Sequence, residues 1–320
     1  MQLEVRHLRA LDTVARHASV TRAAAVLGVS QPALTMQLRR IERLLGGELF
    51  ARGPQGVMPT AFGDFVLARA RAALADVDDI LAARPPAPGV STVRVGGFES
   101  RLLIGLIGRL EAALPGAHVT VHAEYSTRLL LDLIAAHRLD LALVSDYPGH
   151  ELRPPPPVRH DLVAVEPVFV ALAAGHRLAA RAQIDLADLA GEEWVLPPSD
   201  GTGWPEHFLE ACAARRFTPD VRYRMVDAET KRELIATGRA VGPCQATFEP
   251  ERGVVVRPLT GDPVWMRHLV TWDPAGPLTG PGEPLVRLAR EAHAAVAGGC
   301  PAYLDWLTRR GRSVGASWAS

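Results

Sequence analysis

Six residues, Arg84-Pro85-Pro86-Ala87-Pro88-Gly89, divide this chain into two stretches of different texture. Each proline lacks an N–H and holds φ at about −65°, so neither a helix nor a central strand can run through the segment. Upstream, Thr60 to Ala83 is alanine-rich, contains no proline and has no glycine after Gly63, which predicts one long helix stopped by the break. Downstream, the β-rich runs Val93–Val95, Val119–His122, Leu139–Val144, Val168–Leu172, Trp194–Leu196, Val254–Val256 and Leu269–Thr271 alternate with amphipathic stretches. That alternation predicts an α/β domain with mainly parallel strands. Pro154–Pro157 and the Gly/Pro-rich stretch Asp273–Pro284 read as loops, and residues 308–320 as a flexible tail.

Charge is divided along the same line. The 320 residues carry 35 basic and 35 acidic side chains, and a neutral total taken alone argues against nucleic acid. Residues 1–60, however, hold eight arginines against four acids, a net of +4 that leaves −4 for the rest of the chain. The neutral sum hides a basic head. With 48% hydrophobic residues the chain can bury real cores. No apolar run approaches the roughly 20 residues of a membrane span and the N-terminus has no signal-peptide pattern, so a cytoplasmic location is expected.

Within the head, Leu8, Leu11, Val14, Ala15 and Ala18 fall at helical spacing. A second helix begins near Val20, with Ser19 or Thr21 as its N-cap, and ends at Leu27-Gly28. A third opens on Ser30-Gln31-Pro32, an N-cap followed by proline in the first turn, and runs to Leu45-Gly46. Two helices joined by a short Gly-containing turn make a helix-turn-helix. Leu34, Leu38, Ile41 and Leu45 share one face of the third helix, leaving Pro32, Thr35, Met36, Arg39 and Arg43 on the other. Guanidinium groups can bond guanine bidentately and methyl-bearing side chains can touch thymine, so this stripe suits a major groove. On spacing alone it serves equally as the solvated side of a small bundle. The two short runs Leu49–Arg52 and Val57–Thr60 around Gly53-Pro54-Gln55-Gly56 add a hairpin wing, with Arg52 at its edge within reach of phosphate or minor groove.

The run Ala23-Ala24-Ala25-Val26-Leu27-Gly28-Val29-Ser30-Gln31-Pro32-Ala33-Leu34-Thr35, with Leu38, Ile41-Glu42, Leu45-Gly46, Leu49-Phe50, Arg52 and Thr60-Ala61-Phe62-Gly63, resembles the N-terminal domain of LysR-type transcriptional regulators. The resemblance covers residues 3–84. It implies double-stranded DNA as partner, with Gln31, Pro32 and Thr35 approaching bases and Arg52 serving the wing. Candidate DNA contacts are therefore Ser30, Gln31, Pro32, Thr35, Met36, Arg39, Arg43 and Arg52. Met36 departs from the family, where many members carry arginine. The long helix carries Phe62, Phe65, Val66, Ala73, Val77, Ile80 and Leu81; Phe62 and Phe65 are expected to pack back on the head, and Val77 to Leu81 to bury against a second copy. In the family this helix is the dimer linker, so a homodimer or homotetramer is implied, with RNA polymerase as a further possible partner.

The expected architecture is an α/β protein: a winged helix-turn-helix at 1–60, a linker helix at 61–84, a hinge at 85–90, and a two-lobed periplasmic-binding-protein-like effector domain. Its first lobe is assigned to 91–163 plus 267–300 and its second to 164–266, with the chain crossing near Leu162–Val165 and Asp262–Arg267. Gly96-Gly97 is similar to part of a nucleotide loop but lacks the GxGxxG spacing. Ligands of such a clamp lie at strand ends and helix N-termini. The candidates for an unknown small-molecule effector are Ser100, Ser126, Thr127, Ser145, Ser199 and Thr202, each of which fits equally an ordinary N-cap or turn residue. Glu99, Asp146 and Asp200 near the same rim would admit a cationic group or lie solvated.

No GxSxG elbow, HExxH pair or CxxC occurs, so no catalytic residue, cofactor or metal-ligand set is nominated. Alternatives to an effector-controlled regulator are a DNA-binding protein whose second half mediates assembly, or a thiol-redox sensor. Peroxide-sensing relatives use a cysteine pair in the second lobe; Cys212 lies in a similar region, but Gly203 stands where its partner is expected and Cys244 is distant in sequence. A transport-type solute-binding protein is disfavoured by the basic head and the lack of a signal segment.

Overall fold

A computed structural model of the chain describes residues 3–53, 56–82, 92–199, 202–250, 253–276 and 282–311. It separates into two compact units, Met1–Pro85 and Pro86–Ser320, divided within the proline segment. The hinge assigned to 85–90 and residues 312–320 of the tail lie outside the described residues.

The first unit comprises α1 (Val5–His17), α2 (Val20–Val26), α3 (Gln31–Leu45), β1 (Phe50–Gly53), β2 (Gly56–Pro59) and α4 (Ala61–Ala82). Ser19 caps α2 by accepting from the Arg22 N–H, and Ser30 caps α3 by accepting from the Ala33 N–H. Between these helices Gly28 turns the chain at φ +67°, a conformation side chains disfavour. Leu11, Val14, Leu34 and Ile41 are fully buried, and Leu38 and Leu49 complete the core. β1 and β2 pair antiparallel, with Arg52 opposite Val57. Glu42 joins α3 to this wing by accepting from the Leu49 N–H at 3.0 Å.

Helix α4 corrects one expectation. Phe65 is 60% exposed, whereas Leu67, Ala70 and Leu74 are buried. The cause is Gly63: a Cβ there would stand 1.9 Å from the Leu49 carbonyl oxygen, so the helix meets the wing backbone along its glycine. That approach sets the rotation of α4. At about 100° per residue, Leu67, Ala70 and Leu74 follow Gly63 inward and Phe65 swings away, while the Phe62 ring lies against Gly47 of the head as expected. Arg71, from the same helix, bonds the buried Asp12 of α1 at 2.8 Å.

The second unit runs β3 (Thr92–Gly97), α5 (Arg101–Ala113), β4 (His118–Ala123), α6 (Thr127–Ala135), β5 (Leu141–Asp146), β6 (Arg159–Ala173), a 3-10 turn at Leu186–Leu189, β7 (Glu193–Leu196), α7 (Glu206–Ala214), β8 (Asp220–Arg224), α8 (Ala228–Ala236), β9 (Gly242–Gln245), β10 (Val254–Pro258), β11 (Trp265–Trp272), α9 (Glu283–Gly298) and α10 (Pro301–Arg309). The main sheet has the order β10-β6-β11-β5-β3-β4, with β9 also on β6, and β7 and β8 form a separate pair. The expectation of mainly parallel strands is corrected. β3 pairs parallel with β4 and β5, but β11 runs antiparallel to both β5 and β6, and β9 and β10 run antiparallel to β6. The chain goes out along β6 and returns along β11, and a strand that returns must pair antiparallel.

These two strands connect two lobes. From Arg159 to Pro167, β6 pairs with β11; from Val168 onward it pairs with β9 and β10. Its last stretch is buried on both faces. Val168, Val170 and Leu172 enter a core with Trp194 and Phe208, while Phe169 and Ala171 enter another with Val256 and Trp306. Period-two alternation thus feeds two cores from one uninterrupted apolar run. The first lobe has its own core, in which Val95, Leu106 and Leu141 pack with Ala289 and Ala292 of α9.

Candidate nucleic-acid interface and ligand cavity

The capped start of α3 presents the sequence-derived stripe outward. Ser30, Gln31, Pro32, Arg39 and Arg43 are exposed, Thr35 is half-buried, and Met36 is 66% exposed. Gln31 donates to the Thr35 hydroxyl at 3.1 Å, which aligns the two polar groups at the helix start. Arg43 donates to the Arg39 carbonyl at 3.3 Å. The wing backbone carries Arg52 as expected, and its side chain lies outside the described residues.

In the second unit a cavity of about 230 Å³ opens between the lobes. Thr127, Ser145 and Thr202 line it, with Glu99 at its rim. The other three effector candidates are not brought there. Ser100 and Ser126 are spent as caps, accepting from the Leu103 and Leu129 N–H groups, and Ser199 lies away from the lining. Asp146 is also corrected as a contact for a cationic ligand. It is fully buried and held by Arg267, whose Nε and Nη2 donate at 2.7 and 2.5 Å, with the Leu152 N–H donating at 2.9 Å. This partner raises the Arg267 pKa further above its ordinary value. Asp200 lies outside the described residues.

Sequence reasoning missed Lys231. Carried on α8, it lines the cavity and donates to the Pro243 carbonyl at 2.8 Å, and burial lowers its pKa. Aromatic and apolar walls come from Phe98, Tyr125, Tyr147, Trp204 and Phe248. Nothing in the local sequence marks Lys231, because α8 reads as a surface helix until β9 is folded beside it.

The thiols give a redox sensor no support. Cys212, Cys244 and Cys300 are free and buried, and burial pushes the first two up to about 12. A thiol so rarely ionised is a poor nucleophile. Gly203 sits at φ +108°, and a Cβ there would be 2.3 Å from His150 Cβ, so a cysteine partner does not fit this backbone. Among the described residues, no helix is long and apolar enough to cross a membrane.

Comparison with known proteins agrees with both halves. Residues 5–64 match the family of bacterial regulatory helix-turn-helix proteins, lysR family, and residues 89–294 match the LysR substrate binding domain. Along 310 residues the chain is 42% identical to the small neutral protease regulatory protein of Streptomyces coelicolor, covering 95% of this chain and 96% of that one. Among solved structures, a cysteine mutant of Corynebacterium glutamicum OxyR aligns with a TM-score of 0.56 at 19% identity, covering 98% of this chain and 96% of the other. HinK from Pseudomonas aeruginosa aligns at 0.53 with 21% identity, covering 91% and 98%. Those two show the shared fold. With a DNA-binding head and an effector-binding domain each matched along its length, the chain belongs to the LysR family of DNA-binding transcriptional regulators.

Proposed function

We propose that the protein controls transcription from specific promoters by reading the major groove with α3 and by answering to a small molecule held between its two lobes. The observation that carries the first part is the exposed stripe of Gln31, Pro32, Thr35, Met36, Arg39 and Arg43 on a capped helix. Ser30 orients that helix and its backbone end faces phosphate, while Arg52 contacts the backbone or minor groove from the wing. The Streptomyces coelicolor relative is named a small neutral protease regulatory protein, so the promoter of a neighbouring protease gene is the first DNA to try. Fluorescence anisotropy tests it: Arg39→Ala weakens specific binding by about 1–3 kcal/mol and leaves non-specific affinity nearly unchanged. Equal loss on every sequence would remove Arg39 from base reading.

The cavity supports a small anion with an apolar or aromatic body as effector. Lys231 supplies the positive charge, Thr127, Ser145 and Thr202 supply hydroxyls, and aromatic walls cover the rest. Glu99 at the rim selects against a second negative charge. A thermal-shift screen of small carboxylates on the full chain tests this: hits are expected to lose their effect in Lys231→Met. The outward Phe65 of α4 supports self-association through that helix, giving a homodimer or a tetramer that pairs two heads on one DNA. In this reading the protein acts in the cytoplasm, has no catalytic activity, and reaches RNA polymerase only through bound DNA.

A further inference from the structure

Where β6 and β11 pass each other and α9 covers them, three ionisable side chains meet away from solvent. Glu166 of β6 is fully buried, and His268 of β11 and His293 of α9 are 2% and 3% exposed. One Glu166 oxygen lies 3.2 Å from His268 Nε2 and the other 3.0 Å from His293 Nε2, and the three donor atoms all lie within 4.8 Å of one another. We infer that these residues bind one divalent transition-metal ion of the zinc type.

Geometry supports the inference first. Bonds of about 2.0–2.2 Å around a tetrahedral ion separate its donors by roughly 3.3–3.5 Å; the two nitrogen–oxygen gaps, each to a different Glu166 oxygen, are within a few tenths of an ångström of that, and the His293 gap is a hydrogen bond that a metal would replace. His268 is the independent observation. Its Nε2 is buried and, although 3.2 Å from Glu166, makes no hydrogen bond of acceptable geometry, so its lone pair is left for a metal bond. Outer contacts fit as well. The Ser145 hydroxyl is 3.4 Å from His268 Nδ1, and the Thr247 hydroxyl donates to Glu166 at 3.2 Å, orienting a ring and a carboxylate as metal sites require.

Donor type selects the ion. Two imidazoles and one carboxylate favour zinc, cobalt or nickel over magnesium or calcium, which prefer oxygen ligands. Cys300 is spent donating to the Thr247 carbonyl at 3.2 Å, so the set contains no thiolate. An ion here ties both crossing strands to α9, and because Ser145 also lines the ligand cavity, it touches the effector site through one hydroxyl.

The test uses the full-length chain, stripped with chelator and shown by circular dichroism to remain folded. Titration with Co²⁺ is expected to saturate at one equivalent per chain and give the visible absorption of a four- or five-coordinate nitrogen/oxygen site, and Zn²⁺ is expected to compete and raise the melting temperature. His293→Gln and Glu166→Gln are each expected to weaken Zn²⁺ binding at least tenfold. The inference is overturned by absence of saturable binding, by a thiolate charge-transfer band, or by unchanged affinity in a folded His293→Gln. Should both variants unfold, X-ray absorption of the wild-type zinc form decides: two imidazoles in the first shell uphold the site, and fewer refute it.

Discussion

Asp146→Asn separates the buried ion pair seen in the structure from the ligand contact that sequence position alone suggested. The carboxylate accepts three hydrogen bonds, two from Arg267 and one from the Leu152 N–H, and is fully buried where β5 faces β11. Asparagine keeps one acceptor but turns an N–H₂ toward a donor, so at least one charge-assisted bond worth about 1.5–3 kcal/mol is lost and the others weaken. Breaking one side of a buried pair typically costs about 3–5 kcal/mol. Arg267 retains 31% side-chain exposure and can rehydrate, which points to the lower end, ~3 kcal/mol. For a unit of this size each kcal/mol moves the midpoint by about 2–4 °C, so the melting temperature falls by about 6–12 °C. Urea unfolding followed by far-ultraviolet circular dichroism reads the change directly. Asp146→Asn/Arg267→Met is expected to recover part of the loss, because it leaves no unpaired charge. The reasoning is refuted if Asp146→Asn unfolds within about 1 kcal/mol of wild type, and doubly so if that variant also loses its response to a small molecule.

Gly63→Ala forces a Cβ against the Leu49 carbonyl and is expected to cost at least about 1–3 kcal/mol and to lower DNA affinity by displacing the wing from α4; an unchanged melting curve and operator affinity would show that the contact relaxes freely. The buried cysteines, with pKa values near 12 for Cys212 and Cys244, are ionised to roughly one part in ten thousand at pH 8, so iodoacetamide labels them only as the protein unfolds; rapid labelling of the native chain, or peroxide-dependent DNA affinity, would revive a redox function. Phe65→Asp places charge on the exposed face of α4 and is expected to shift full-length protein toward smaller species in analytical ultracentrifugation, while an unaltered sedimentation profile would assign self-association to another surface.

How far the sequence was legible depended on the range of the interaction that decides each residue's place. The head is written in local terms: Ser19 and Ser30 cap the helices they precede, Gly28 turns between them, and Leu34, Leu38 and Ile41 repeat at helical spacing toward the core. Rotation of α4 was not legible. Apolar residues occupy several sides of that helix, and what chooses among them is the Leu49 carbonyl, a backbone atom 14 positions upstream that admits only glycine. A similar substitution of packing for chemistry explains Gly96-Gly97, which looked like part of a nucleotide loop. A Cβ on Gly96 would stand 2.5 Å from Leu139 and 2.7 Å from Leu130, so the glycine is there to let α6 and its following loop close on β3.

The ligand cavity and the proposed metal site failed to show for a different reason, which is that both are assembled by the antiparallel return of the chain. Spacing rules detect donors that share a helix or a turn, and Glu166, His268 and His293 share neither. They meet because β11 lies against β6 with Met266 opposite Glu166 and His268 opposite Ala164, just before a register shift between His268 and Leu269, and α9 then closes over both. The same register puts Arg267 opposite Asp146 on the other neighbour, β5. Serine candidates at helix starts illustrate the converse: Ser100 and Ser126 are local signals, and they mean local things, namely caps. Thr127, one residue further on, reaches the cavity because its side chain leaves α6 on the face turned toward the second lobe's Thr202 and Lys231, a relation set by the two crossing strands. Residues that both line the cavity and touch those strands, Ser145 and Met266 above all, are therefore where a bound effector would register its presence on the sheet, and a Ser145→Ala variant that still binds ligand but no longer alters DNA affinity would separate that relay from binding itself.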